Sequence, residues 1–149
     1  MDTHQKILQS MESFNQRLTG KLQLPPPTFV ELKARFLDYT EGQSLTVEVP
    51  FQERFTNPVG SYQGGMFAAA LDEAFGPLSY MTAQAPCVTL EMSITYLKGL
   101  RASDRRMLVT AEVLKKTSQF IFMRAEIRNP AGELLVTAQS HSSIWREKA

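Results

Sequence analysis

Apolar residues along the chain change their spacing several times, and each change marks an element. Ile7, Leu8, Met11, Phe14 and Leu18 recur at helical intervals, with Gln9, Glu12, Gln16 and Arg17 on the other side. This pattern predicts an amphipathic helix over residues 3–19, stopped by Gly20. Pro25, Pro26 and Pro27 form a stiff link, and residues 28–32 fit one short helical turn. The division expected is a leader, residues 1–27, packed on a domain of residues 28–149.

From residue 33 the period becomes two. Residues 33–40 and 43–51 read as a hairpin around Glu41-Gly42, with Leu45, Val47, Val49 and Phe51 on one face and Ser44, Thr46 and Glu48 on the other. Val88, Leu90, Met92, Ile94 and Tyr96 alternate with Thr89, Glu91, Ser93 and Thr95, which predicts a long strand with one buried face. Residues 106–115 and 118–128 follow as strands joined at Lys116-Thr117, and Asn129-Pro130-Ala131-Gly132 turns the chain into a last strand, residues 133–144.

Between the hairpin and the strand at Val88, charge almost disappears. From Phe55 to Leu90 the charged residues are Asp72 and Glu73 alone. Residues 65–81 are apolar nearly all round, as in a helix buried on most sides, and Pro77 is expected to kink it or end its regular part. The fold class is therefore α+β: about six antiparallel strands wrapped around one central helix, with an extra amphipathic helix at the N-terminus.

Composition narrows the function. The chain has 149 residues with 16 basic and 15 acidic side chains, so no overall field favours nucleic acid as a partner. No segment has the roughly 18 consecutive apolar residues of a bilayer span, and the mixed polarity of residues 1–20 is unlike a signal peptide, so no membrane partner is expected. One cysteine, Cys87, cannot form an internal disulfide, and a reducing, cytoplasmic setting is the default expectation. Two histidines, His4 and His141, with that cysteine leave too few soft ligands for a zinc site, so neither a metal nor a redox cofactor is expected.

Burying an ionised carboxylate is costly unless it is paired or performs a function, so Asp72 and Glu73 are the first candidates for chemistry. Neighbours on a helix point about 100° apart and cannot both face one small site, so one of them is expected to reach the surface or a partner. Asp72 follows Gly65 by seven residues, about 700° of rotation, and lies within about 20° of the face that starts there. A helix starting at Gly64-Gly65 aims unpaired N–H groups outward, donors suited to a carbonyl oxygen that gains charge during acyl transfer. The run Gly60-Ser61-Tyr62-Gln63-Gly64-Gly65 lacks the lysine and spacing of a phosphate loop. His141 reads as structural, Cys87 as a packed thiol, and no Ser-His-Asp triad can be assembled around His4 or His141.

The spacing Asn57-x-x-Gly60-x-x-Gln63-Gly64-Gly65, with Asp72 fifteen residues after Asn57 and the strand from Val88 to Leu97, resembles the hotdog-fold acyl-CoA thioesterases. The resemblance is to their PaaI-like (phenylacetic acid degradation) branch and covers residues 33–145, leaving the leader as an addition. It implies a homodimer, often paired into a tetramer, that hydrolyses acyl-CoA or acyl-carrier thioesters to acid and thiol without a cofactor. The implied catalytic set is Asp72 as general base or nucleophile, the Gly64 amide polarising the carbonyl across the dimer, Asn57 organising its loop and Thr89 orienting water. Where the family usually carries histidine this chain has Gln63, which hydrogen-bonds but does not carry a proton near neutral pH.

Gln63, Gly65, Phe55, Tyr62, Met66 and Phe67 are the expected substrate contacts, with Phe75 and Tyr80 further candidates for the acyl pocket. Lys98, Arg101, Arg106 and Lys116, at strand ends, are candidates for the phosphates of coenzyme A, as are Arg105 and Lys115. Two other activities compete: a non-catalytic acyl-CoA binding or regulatory protein, and a hotdog hydratase or dehydratase, which in its family uses a histidine.

Overall fold

The computed structural model describes residues 1–18 and 20–146; position 19 of the expected first helix and the last three residues of the 28–149 domain lie outside them. The leader forms α1, Thr3–Leu18, and after the prolines α2, Pro27–Glu31. The sheet contains β1 (Arg35–Thr40), β2 (Ser44–Pro50), β3 (Cys87–Tyr96), β4 (Arg106–Lys116), β5 (Phe120–Arg128) and β6 (Leu134–Ile144), and α3 spans Gly64–Ala83. All neighbouring strands are antiparallel, in the order β1-β2-β4-β5-β6-β3.

The core lies where the sheet curls around α3. Leu45, Val47 and Val49 of β2, Met107 and Val109 of β4, and Ile121, Met123 and Ile127 of β5 are buried on the inner face. Against them stand Leu71, Phe75 and Leu78 of α3, each without solvent exposure. Burial alternates along both β2 and β5, following the alternation of apolar and polar residues in β2 and, in β5, of Ala125 and Ile127 with Arg124 and Glu126.

Of the two outcomes expected of Pro77, a kink or the end of the regular helix, the second does not occur. α3 runs on for six residues, to Ala83, with Pro77 itself buried. Proline removes only its own N–H from the ladder, and the sheet holds the helix on its other sides. The Ser79 hydroxyl donates to the Gly76 carbonyl at 2.7 Å just beyond the proline.

β3 departs from expectation more. Its apolar residues do not share one buried face: Val88, Leu90 and Tyr96 are 58%, 53% and 50% exposed, while Met92 and Ile94 are half-buried. The pairing with β6 shifts register between Thr89 and Glu91. A bulge adds one residue to the strand and exchanges its two faces, which puts Thr89 on the side occupied by Met92 and Ile94.

The leader packs on the domain. Ile7, Met11 and Phe14 are buried, the Phe14 ring lies 6.2 Å from Tyr80, and His4 stacks on Phe29 while its Nδ1 accepts the Phe36 N–H at 3.1 Å. Asn15, also buried, holds the link to α1 by donating to the Leu22 carbonyl at 2.7 Å and accepting its N–H at 3.0 Å.

Candidate active site

Asn57 shapes the loop that leads into α3. Its Oδ1 accepts the N–H groups of Val59 at 3.1 Å and Ser61 at 3.0 Å, and its own N–H donates to the Ser61 carbonyl at 2.7 Å. Gly60 takes a φ of +79° within this turn, a value glycine adopts without strain. The loop is then pinned from both sides, by Tyr62 N–H to the Leu100 carbonyl and by Gln63 N–H to the Phe55 carbonyl. Gly99 permits that approach, since a Cβ there would stand 2.3 Å from Ser61 Oγ.

Gln63 is the N-cap of α3, and its side chain makes no capping hydrogen bond. Its carbonyl accepts the N–H groups of Met66 and Phe67, while among the described residues the N–H groups of Gly64 and Gly65 have no backbone acceptor. The Tyr96 hydroxyl donates to the Gly64 carbonyl at 2.8 Å, fixing the first turn against the end of β3.

Two turns further on, Thr89 Oγ1 donates to Asp72 Oδ1 at 3.4 Å, a contact that depends on the bulge in β3. Protein packed around Asp72 raises its carboxyl above the usual range, although Asp72 keeps an exposed edge, and the Thr89 hydrogen bond pulls the other way. Eight residues separate Gly64 from Asp72, about 12 Å along the helix at 1.5 Å per residue. One chain therefore cannot bring both to a single carbonyl.

Of the two carboxylates it is Asp72 that is exposed, while Glu73, expected as the non-catalytic one to turn outward or to a partner, does not reach the surface. It is 6% exposed, and burial with the adjacent Asp72 charge pushes its carboxyl up to about 7. Asp72 and Glu73 border the same cavity of about 330 Å³. Gly76 and Tyr80 of α3 continue that wall, Cys87 and Thr89 of β3 form a second, and Met11, Leu22 and Leu24 of the leader form the third. The leader's share was not legible as a site, because its apolar residues read equally well as plain packing.

Tyr62, Phe67 and Phe75, expected at the substrate, are core residues; Tyr62 and Phe67 meet at 5.7 Å with their rings near edge-on. Phe55 and Met66 are half-buried, and Phe55 stacks under the Arg54 guanidinium at 4.4 Å. The basic candidates do not form one cluster. Lys98 pairs with Glu133, Arg106 Nε lies 3.6 Å from Glu48, and Arg101 adjoins Leu100 beside the loop. Lys116 lies at the opposite end of β4 from Arg106, about 33 Å away.

A larger depression, about 450 Å³, lies on the outer face of the sheet around Thr110, Glu112 and Arg124 and contains none of the candidate residues. His4 and His141 are both engaged away from Asp72, His4 with Phe29 and Phe36 and His141 with Phe122, so neither supplies the histidine of a hydratase.

Comparison with known proteins identifies the class. Residues 60–136 match the Thioesterase superfamily, and the chain belongs to that superfamily as a thioester hydrolase. Acyl-coenzyme A thioesterase 13 of Homo sapiens is 28% identical over 96 residues, 64% of this chain and 68% of its own. The Mus musculus protein of the same name is 26% identical over 102 residues, 67% and 71% of the two chains. Among solved structures, the E. coli PaaI protein from the phenylacetic acid degradation operon superposes with a TM-score of 0.79 at 16% identity, covering 97% of each chain. A phenylacetic acid degradation-related protein from Ralstonia eutropha JMP134 has a TM-score of 0.75 at 25% identity, covering 88% of this chain and 98% of its own. The fold is thus the hotdog fold. The N-terminal helix expected beside the sheet and the central helix is present as well.

Proposed function

We propose that the chain hydrolyses acyl-coenzyme A thioesters as a homodimer, with Asp72 and Thr89 of one subunit facing the partner subunit's Gly64. The observation that carries this reading is the Asp72–Thr89 pair on the wall of a cavity large enough for an acyl group. The names of the human and mouse relatives support coenzyme A as the thiol. The single buried thiol of Cys87 is in keeping with a reducing, cytoplasmic setting.

Dimerisation is supported by β3, an edge strand of ten residues that presents Val88, Leu90 and Tyr96 to solvent. Antiparallel pairing of two such strands about a two-fold axis sets residue i opposite j and j opposite i. That symmetry lets the N–H of one subunit's Gly64 serve the carbonyl attacked from the other subunit's Asp72, a meeting that the roughly 12 Å spacing denies to a single chain.

In the reaction, Asp72 takes a proton from a water oriented by Thr89, and the resulting hydroxide adds to the thioester carbon. The oxyanion is held by the free N–H at the start of α3. The tetrahedral intermediate then expels the coenzyme A thiolate, which recovers the proton from Asp72. A raised carboxyl pKa makes Asp72 a stronger base once ionised. Gln63 serves as a hydrogen-bonding group and takes no part in proton transfer.

A thiol-detecting dye with a panel of acyl-CoA substrates tests the activity. Asp72→Asn lowers kcat at least about a hundredfold with little change in KM, because the amide keeps the shape and loses the base. Retained turnover in a folded Asp72→Asn protein would overturn the assignment, and absence of thiol release across the panel would overturn the substrate.

A further inference from the structure

The first turn of α3 carries the donors for the oxyanion, yet its own sequence does little to fix it. Gly64 and Gly65 occupy the first two positions, and the Gln63 side chain makes no capping hydrogen bond. Glycine loses more backbone freedom on entering a helix than any other residue, so this turn is intrinsically loose. An oxyanion donor accelerates a reaction only if its N–H already points to where charge develops. The constraint has to come from another element.

Strand β3 supplies it. The Tyr96 hydroxyl donates to the Gly64 carbonyl at 2.8 Å, and its ring stands 5.9 Å from that of Phe67, which is buried in the same turn. Position 64 is fitted to this contact: a Cβ there would lie 3.4 Å from both Cζ and Oη of Tyr96, so a larger side chain would press on the hydroxyl. The Gly64 carbonyl and the Gly65 N–H belong to one planar amide, and a hydrogen bond accepted by the carbonyl both directs and polarises that N–H. Thr89 and Tyr96 are seven residues apart on β3, about 23 Å, so the two ends of one strand serve different halves of the chemistry.

We infer that Tyr96 is a positioning residue for thioester hydrolysis, its hydroxyl holding the Gly64–Gly65 amide in the orientation in which the free N–H groups of the first turn meet the oxyanion. The inference deepens the thioesterase reading and rests on it for the placement of the carbonyl. In the proposed dimer this carbonyl is the one attacked from the partner subunit's Asp72. Tyr96 acts through Gly64 and Gly65 and transfers no proton.

The probes are the acyl-CoA thioesters of the panel and their ketone analogues, in which a methylene stands between carbonyl and sulfur and the carbonyl carbon is 13C. Infrared difference spectra of the bound ketone report how strongly its carbonyl is polarised, without turnover. In the wild-type protein the carbonyl band moves to lower frequency on binding. Tyr96→Phe keeps the ring on Phe67 and removes the hydroxyl; about half of that shift or more is lost, kcat falls about tenfold and KM stays within about twofold. Asp72→Asn keeps the shift while losing turnover, which separates polarisation from proton removal. Gly64→Ala lowers kcat in the wild-type background and by less in Tyr96→Phe, because both changes disturb one hydrogen bond. Light scattering and melting temperature on the same samples show an unchanged oligomer and fold.

An unaltered band shift in a folded Tyr96→Phe protein, whether or not kcat falls, would overturn this inference and leave the thioesterase reading standing. So would additive effects of Gly64→Ala and Tyr96→Phe, or a loss of kcat that tracks dissociation of the oligomer. A Tyr96-dependent shift without hydrolysis of any thioester would overturn the thioesterase reading and leave Tyr96 as the residue that aligns the donors. Ketones that bind wild type without a shift, or fail to bind at all, would overturn the role of Tyr96.

Discussion

The two edges of the sheet receive opposite treatment. β1 is a six-residue strand that includes Arg35 and Asp38, has an irregularity between Phe36 and Asp38, and lies under α1, whose His4 ring covers Phe36. Short length, charge, a bulge and a covering helix are the usual ways a protein blunts an edge. β3 is ten residues long, has Glu91 as its one charged residue, and leaves Val88, Leu90 and Tyr96 half exposed or more. The candidate chemistry gathers at this second edge: Thr89 within the strand, Asp72 against it, and the first turn of α3 tied to Tyr96. An edge left uncovered and apolar beside reactive groups is consistent with a site completed by a second copy, as proposed above.

Placing the same charge on each edge gives the largest contrast. Leu90→Lys puts an ammonium on β3, and in a two-fold interface it enters twice, so the proposed dimer weakens at least about a hundredfold and kcat/KM falls with it. Leu37→Lys on β1, where Leu37 is 36% exposed, leaves both quantities within about twofold. Light scattering across a dilution series and steady-state kinetics check both. A fully active monomeric Leu90→Lys protein would break the comparison.

A smaller effect separates the carboxylates behind β3. Glu73 has an ordinary pKa of 4.5 in the unfolded chain and about 7 in the folded one. Between those values the folded state binds more protons, so stability is full below about pH 4.5, falls as pH rises through the window, and levels off above about 7. The loss is about 2 kcal/mol, reduced from the full shift because the cavity opens to solvent. Urea unfolding at several pH values should show that slope in wild type and a flatter one in Glu73→Gln. Parallel profiles would mean that Glu73 ionises as freely in the folded protein as in the unfolded one.

The contrast between the edges also marks what sequence patterns can and cannot convey. The six strands, the central helix and the Asn57 to Gly65 loop were legible because alternation and apolar runs report burial directly. The family resemblance implied Asp72 and Thr89, helix geometry independently favoured Asp72, and the structure brings the two into contact. Strict alternation, however, set Thr89 on the face opposite Met92; the bulge that reverses this inserts a residue without changing the composition, so it leaves no periodic trace. The interior place of Glu73 was hidden for a different reason. Its burial depends on Met11, Leu22 and Leu24 arriving from the leader, some fifty residues or more away in sequence, and helical geometry alone turns it away from the face of Gly65.

The covered edge offers the last and smallest test. Asn15 is 3% exposed and holds both backbone groups of Leu22, so it joins the end of α1 to the link that walls the cavity. Asn15→Ala removes two hydrogen bonds, but Leu22 is only half-buried and water can replace part of what is lost, so the cost is about 1 kcal/mol and the melting temperature falls by a few degrees. Because this residue acts on the leader and not on β3, the oligomeric state is unaffected, while KM for medium-chain thioesters rises more than kcat falls as the wall formed by Leu22 and Leu24 loosens. Dissociation of the oligomer by Asn15→Ala would show that the two edges are coupled through α3, and the division between a covered edge and a functional edge would then have to be abandoned.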